Sequence, residues 1–247
     1  MVKKPIVTLV AYTDMFLPKD GYPWEKWNCD SYSPSDSVVE FAGRLCYQSW
    51  NKPNASTSTN VQYVKNILDH GHYSVLEHAG FTVAIVGVSR ACTHELVRHR
   101  HLSFSQLSQR YVAPSAGDFV VPPLFRGVEK AEKLIKEHYE RSLEVYNELL
   151  EIANERLSGL DLPSKVVKKR SREAARAVLP NSTATQIVVS GNHRAWREFL
   201  WKRGSSEADA EIREVAIQIF NIAKYVAPAI YQDMHVIDGC IVGPASS

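Results

Sequence analysis

Phe81-Thr82-Val83-Ala84-Ile85-Val86-Gly87-Val88 carries the strongest strand signal in this chain: a largely apolar run with β-branched residues at five of its positions. Ser89 follows in the place of a helix N-cap. Val88, Cys92 and Leu96 then recur every four residues, the spacing of one buried helical stripe. His94, Glu95, Arg98 and His99 fall off that stripe. A strand that runs straight into a capped helix sets the class as α+β, and the neighbouring segments agree.

On the N-terminal side, Ile6–Tyr12 reads as a second strand. Residues 13–37 read as loop. A helix is expected at Val38–Tyr47 with Val38, Phe41 and Leu45 inward, then a loop at Trp50–Thr59. Asn60–His70 is helical through Val61, Val64, Ile67 and Leu68, with Gly71 as its left-handed cap. On the C-terminal side, 112–127 holds three prolines and reads as extended loop. Val128–Leu157 is a long charged helix with Leu134, Tyr146, Leu149 and Ile152 inward. Lys165–Leu179 is a shorter helix stopped by Pro180. Thr185–Ser190 is a strand, and Asn192 caps a helix over His193–Arg203 that Gly204 ends. Ala208–Val226 is amphipathic through Ile212, Val215, Ile219 and Ala223. With no internal repeat and no low-complexity linker, 1–247 reads as a single domain.

Composition sets outer bounds. The chain has 247 residues, 45% apolar and 23% charged, with net charge +2, so it can bury a core and advertises no global partner. Four scattered cysteines offer no metal or redox spacing. Met1–Pro5 leads into a short apolar run, marginal for the core of a signal peptide and followed by no cleavage-like site, and no stretch approaches a membrane span. The expectation is a cytoplasmic protein with reduced thiols.

Four constellations carry chemistry. Arg98-His99-Arg100 is followed after seven residues by Ser108, then Arg110 and Tyr111. Guanidinium forks this dense suit phosphate oxygens. A basic helix end with Glu95 paired to Arg98 is the plainer alternative. His70-Gly71-His72-Tyr73-Ser74-Val75-Leu76-Glu77-His78 belongs to a stretch, 70–101, that holds six of the nine histidines. Metal ligation competes here with a polar turn before a strand, although no H-x3-H pair is present. Glu173–Pro180 places Arg176 near a helix end. Asn192-His193-Arg194 opens a helix whose N-terminus offers N–H groups to an anion. Two functional alternatives stay open: a metal-dependent phosphohydrolase using His70, His72, Glu77 and His78, and a nucleic-acid-binding oligomer using the 98–110 and Lys168–Arg172 basic runs with Tyr111.

The stretch R-H-R-H-L-S-F-S-Q-L-S-Q-R-Y at 98–111 resembles the R-H-R-x7-S signature of flavin-dependent thymidylate synthases. The H-G-H-x-S-x-x-E-H, A-R-x-x-L-P and N-x-R segments also resemble that family, from about Phe41 to about Tyr231. The resemblance implies reductive methylation of dUMP to dTMP with FAD, NADPH and 5,10-methylenetetrahydrofolate. It also implies a mixed, mainly antiparallel sheet packed with long helices, and a homotetramer with shared active sites, without nucleic-acid or membrane partners. Carried over residue by residue, it places Glu95, Arg98, Gln106, Ser108, Gln109, Arg110, Arg176 and Arg203 at dUMP. It places His72, Ser74, Arg98, His99, Arg100, Gln106, Asn192, His193, Arg194 and Glu198 at FAD, and no metal ligand. Arg203 is the expected catalytic residue, stabilising negative charge on the pyrimidine. Ser108 is assigned to binding, because the sequence reveals no base beside it. Glu207 stands where many members carry His, which puts a helper role for that position in doubt.

Overall fold

The computed structural model describes residues 4–17 and 20–243. Met1–Lys3 of the N-terminal reading, and Pro18 and Lys19 of the expected 13–37 loop, lie outside those residues. Seven helices and six strands are described: β1 (Ile6–Tyr12), α1 (Pro34–Tyr47), α2 (Asn60–Asp69), β2 (Gly80–Ser89), α3 (Arg90–Leu96), β3 (Ser103–Gln106), α4 (Glu129–Ser158), α5 (Ser164–Ala175), β4 (Ala184–Asn192), α6 (His193–Arg203), α7 (Ala210–Val226), β5 (His235–Ile237) and β6 (Cys240–Val242). Four strands form a sheet in the order β1-β2-β4-β3. Thr13, just past β1, exchanges hydrogen bonds with Gly80 at the start of β2, and the His193 amide, just past β4, donates to Ala79. Ends therefore meet starts, and both pairs run antiparallel.

The chain divides into two compact units; four of the five boundaries fall inside strands, and the fifth lies at the end of α3. The larger comprises 7–84, 97–104 and 188–247. Its core is built on α7, where Ile212, Val215, Ile219 and Ala223 are all buried, the stripe expected from the sequence. Trp196, Phe199 and Leu200 of α6 are fully buried, and Trp196 stacks on Phe81 at 4.8 Å.

Helix α1 departs from expectation. It begins four residues earlier, at Pro34, because Ser33 caps it through the Asp36 amide. Its buried face is polar: Asp36, Glu40 and Arg44 are inside, while Leu45 is exposed. Asp36 accepts the amides of Ala229 and Ile230 at 3.0 and 3.2 Å, and Glu40 pairs with Arg44 at 2.6 Å. These polar groups are tolerated because each is partnered. A short hairpin, β5–β6, was not foreseen; Asp238 and Gly239 both take positive φ at its turn.

The smaller unit comprises 1–6, 85–96 and 105–187. Ser89 caps α3 by accepting the Cys92 amide at 3.0 Å, and Val88, Cys92 and Leu96 are buried as expected. The thirty-residue α4 lies along α5, tied by Ser171 Oγ donating to Asn154 at 2.7 Å. Of its expected inner residues Tyr146 is buried, but Leu134 and Ile152 are exposed; Tyr139 and Ser142 complete the buried face.

Candidate active site

The Arg98–Arg100 segment sits in the larger unit. Helix α3 has only seven residues and stops at Leu96, so Arg98 and Arg100 lie beyond it in a turn rather than in its last helical turn. Both are exposed. His99 between them points inward. Its Nε2 accepts a hydrogen bond from Arg203 Nε at 3.1 Å, and its ring meets Phe199 edge-to-face at 5.1 Å. Burial, reinforced by the Arg203 charge, pushes the imidazole down from 6.5 to about 4. A neutral imidazole is what the bond requires, since Arg can only donate.

The N-terminus of α6 supplies the second group. Asn192 caps the helix by accepting the Ala195 amide at 2.9 Å. Its position depends on Gly80, where an added Cβ would lie 2.2 Å from the Gly191 carbonyl. Arg194 is exposed and pairs with Glu77 at 2.6 Å. It borders two cavities. One, of about 390 Å³, also holds His72, Ser74, Tyr73 and Val75; the other, of about 340 Å³, holds Glu198, Trp201 and Lys202. A third, of about 490 Å³, is lined by Glu77, His78, His101, Ser103 and Asn192. Glu198 is held below its usual range by a 2.6 Å bond from Lys202.

His193 does not join this group. Its side chain is fully buried, with Nδ1 3.0 Å from the Tyr231 hydroxyl, and burial holds it at about 3. The expected flavin contact is therefore a core residue; the first position of α6 faces inward. Arg197, which the sequence reading passed over, is buried and bidentate to Asp233 at 2.7 Å. Gly204 ends α6 as expected, but with φ −88° rather than left-handed; a Cβ there would meet Ile241 at 2.5 Å.

Glu95, Gln106, Ser108, Gln109, Arg110 and Arg176 belong to the smaller unit. Gln106 Nε2 donates to Thr93 and Thr185 at 2.9 and 3.3 Å. Ser108 Oγ accepts the Arg110 amide at 3.4 Å. Arg110 lies 3.8 Å from Glu173 and above the Tyr111 ring. Arg176 stands at the end of α5, close enough to Arg90 to lower that guanidinium, which burial already disfavours. Arg90 was not singled out from the sequence, because as the first residue of α3 it reads as ordinary surface. Two neighbouring guanidinium groups attract an anion.

Metal ligation by the 70–78 histidines finds no geometric support. Among the described residues, the one group of ligating atoms close enough to share an ion is Cys29, Asp30 and Glu40. There the thiol is pushed up to about 11 by burial, and Glu40 is already paired with Arg44 and Lys52. No described helix is long and apolar enough to cross a membrane.

The family model described as "Thymidylate synthase complementing protein" matches residues 30–229. A flavin-dependent thymidylate synthase of Mycobacterium avium (strain 104) is 47% identical over 231 residues, 93% of this chain and 90% of that one. This chain belongs to the flavin-dependent thymidylate synthase family. Enzymes of the same description from Mycobacterium tuberculosis (strain H37Rv) and Mycobacterium marinum (strain M) are 46% and 47% identical over the same coverage. The match starts about ten residues before the Phe41 boundary expected from motifs alone, taking in the whole of α1. As a family member the chain is an enzyme.

The residues present fit the family's flavin. Arg98 and Arg100 offer two exposed guanidinium forks, and Arg194 adds a third at a helix start. Ser74 and His72 add polar groups beside Arg194. Tyr73 and Val75 line the first of the two cavities that Arg194 borders, and Trp201 lines the second.

Proposed function

We propose that this enzyme converts dUMP to dTMP, with 5,10-methylenetetrahydrofolate as carbon donor and NADPH as the final reductant. Bound FAD, reduced by NADPH, supplies the hydride. The reading is carried by one observation: in Arg98-His99-Arg100 the two outer guanidinium groups are exposed, while the central imidazole meets Arg203.

In this reading Arg98, Arg100 and Arg194 hold the flavin phosphates, with His72, Ser74 and Asn192 placing the group and Glu198 at its edge. Arg110, Gln109 and the Ser108 hydroxyl bind dUMP with Arg176, Gln106 and Glu95. Arg203 sits against N3 and O2 of the pyrimidine and stabilises the negative charge that must develop before C5 accepts carbon. Ser108 binds the nucleotide rather than attacking it, and hydride delivery from the flavin requires no enzyme nucleophile.

The site is assembled from several subunits of a homotetramer. Leu134 and Ile152, exposed on a thirty-residue helix, are apolar surface of the kind an obligate interface covers. Among the described residues no cysteine forms a disulfide, which suits a reducing compartment, the cytoplasm.

A visible absorption spectrum and an NADPH-oxidation assay with dUMP and methylenetetrahydrofolate test the proposal. The purified protein is expected to be yellow and to form dTMP. Arg203→Ala is expected to keep the flavin bands and lose dTMP formation. A protein that cannot be reconstituted with FAD refutes the flavin role, and unchanged turnover in Arg203→Ala removes Arg203 from the chemistry.

A further inference from the structure

We propose that His99 is a positioning residue for Arg203, accepting its Nε–H and thereby fixing the direction in which the guanidinium meets the pyrimidine. The inference rests on the reading that Arg203 acts on dUMP. It moves His99 from a flavin contact to a support of the catalytic side chain.

The argument is geometric. Arg203 Nε lies 3.1 Å from His99 Nε2, and a guanidinium nitrogen only donates. His99 therefore presents Nε2 as an unprotonated acceptor and carries its proton on Nδ1. The guanidinium is planar, so a fixed Nε–H vector restricts the last side-chain torsions and aims the terminal nitrogens. Those two nitrogens form the fork that matches a pair of adjacent acceptors, such as an ionised N3 and its O2.

The acceptor is itself held. Phe199 of α6 packs edge-to-face on the imidazole at 76°, and Phe199 is fully buried against Trp196 at 5.8 Å. Trp196 donates from Nε1 to the Phe81 carbonyl in β2 at 3.1 Å. A chain of rigid groups thus runs from the sheet through α6 to His99 and back to the last residue of α6. The charges around His99 favour the neutral form. Arg203 and Lys202 oppose a second positive charge, while Glu198, which favours one, is engaged by Lys202. A protonated His99 would lose its acceptor and repel Arg203.

The test compares His99→Gln and His99→Leu in the FAD-loaded enzyme. Gln keeps an acceptor oxygen; Leu keeps bulk without one. His99→Leu is expected to lower kcat for dTMP formation about 100-fold, the scale of a misaligned catalytic group, with flavin absorbance retained. His99→Gln is expected to recover at least tenfold of that loss. Calorimetry of dUMP binding to flavin-free protein gives a second readout. Arg203→Ala and His99→Leu should each weaken binding, and the double variant should weaken it no further than Arg203→Ala alone.

Full kcat in His99→Leu overturns the proposal, as do equal losses in both variants or additive losses in dUMP binding. Loss of flavin from His99→Leu that excess FAD cannot restore returns His99 to the cofactor site. Wild-type protein that forms no dTMP refutes the reaction itself, a result separable from turnover that survives in His99→Leu.

Discussion

Arg194 and Arg197 lie three residues apart on α6, the first exposed and the second buried. Replacing each by Met separates the two. Arg197 is 4% exposed and gives two parallel bonds of 2.7 Å to Asp233 plus one of 2.6 Å to the Ile230 carbonyl. Arg197→Met leaves a largely buried carboxylate and a carbonyl without partners, a loss of about 3–5 kcal/mol. For a chain of 247 residues, roughly 2 °C of melting temperature corresponds to 1 kcal/mol, so the expected drop is about 6–10 °C. Arg194 pairs with Glu77 at 2.6 Å, but the side chains are 54% and 46% exposed. Screening by water limits that pair to about 0–1 kcal/mol, so Arg194→Met should melt within about 2 °C of wild type. It should instead need much more FAD to reconstitute. Thermal melts followed by circular dichroism, with flavin titrations of both variants, measure the difference. Equal melting temperatures for the two variants would falsify the assignment of Arg197 to the scaffold and Arg194 to the ligand.

Further expectations concern pH and close packing. His193 is held neutral in the fold at about 3 against an ordinary 6.5, so its contribution to stability is complete above pH 6.5 and is lost as pH falls from there towards 3. Asp36, raised to about 6, acts in the opposite sense, and its contribution cancels when wild type is compared with His193→Gln. Urea melts at pH 7 and pH 5 should show wild type losing more stability than the variant; equal losses refute the role of His193. Gly80→Ala places a methyl 2.2 Å from the Gly191 carbonyl, and strands β2 and β4 must part. The expected loss is about 1–3 kcal/mol, with weakened FAD binding because Asn192 follows directly. A variant with the wild-type melting point and FAD affinity would show that the strands are not so closely apposed.

Local rules worked where the interaction is local. The α7 stripe is buried at all four expected positions, and Ser89 and Asn192 cap their helices, since periodicity and capping involve residues within a few positions of each other. The β5–β6 hairpin had its signal in Asp238-Gly239 between short apolar runs, but three-residue strands are too brief to stand out from loop. Helix α1 was misread because hydrophobicity was taken as the marker of burial. Asp36 and Glu40 are interior only because partners arrive from far along the chain; Asp36 binds the amides of residues 229 and 230. Arg90 showed no pattern at all, and only its proximity to Arg176 gives it meaning.

The sequence by itself determined the α+β class, most element positions and, through the 98–111 motif, the family. These follow from short-range spacing, and a motif is read in one dimension. Only the tertiary structure decided what each polar side chain does. It turned His193 and Arg197 into the core, left Arg98, Arg100 and Arg194 exposed, and set His99 against Arg203. Whether a charge is a scaffold or a ligand depends on which groups lie within about 3 Å and how much water remains, and both depend on residues distant in the chain.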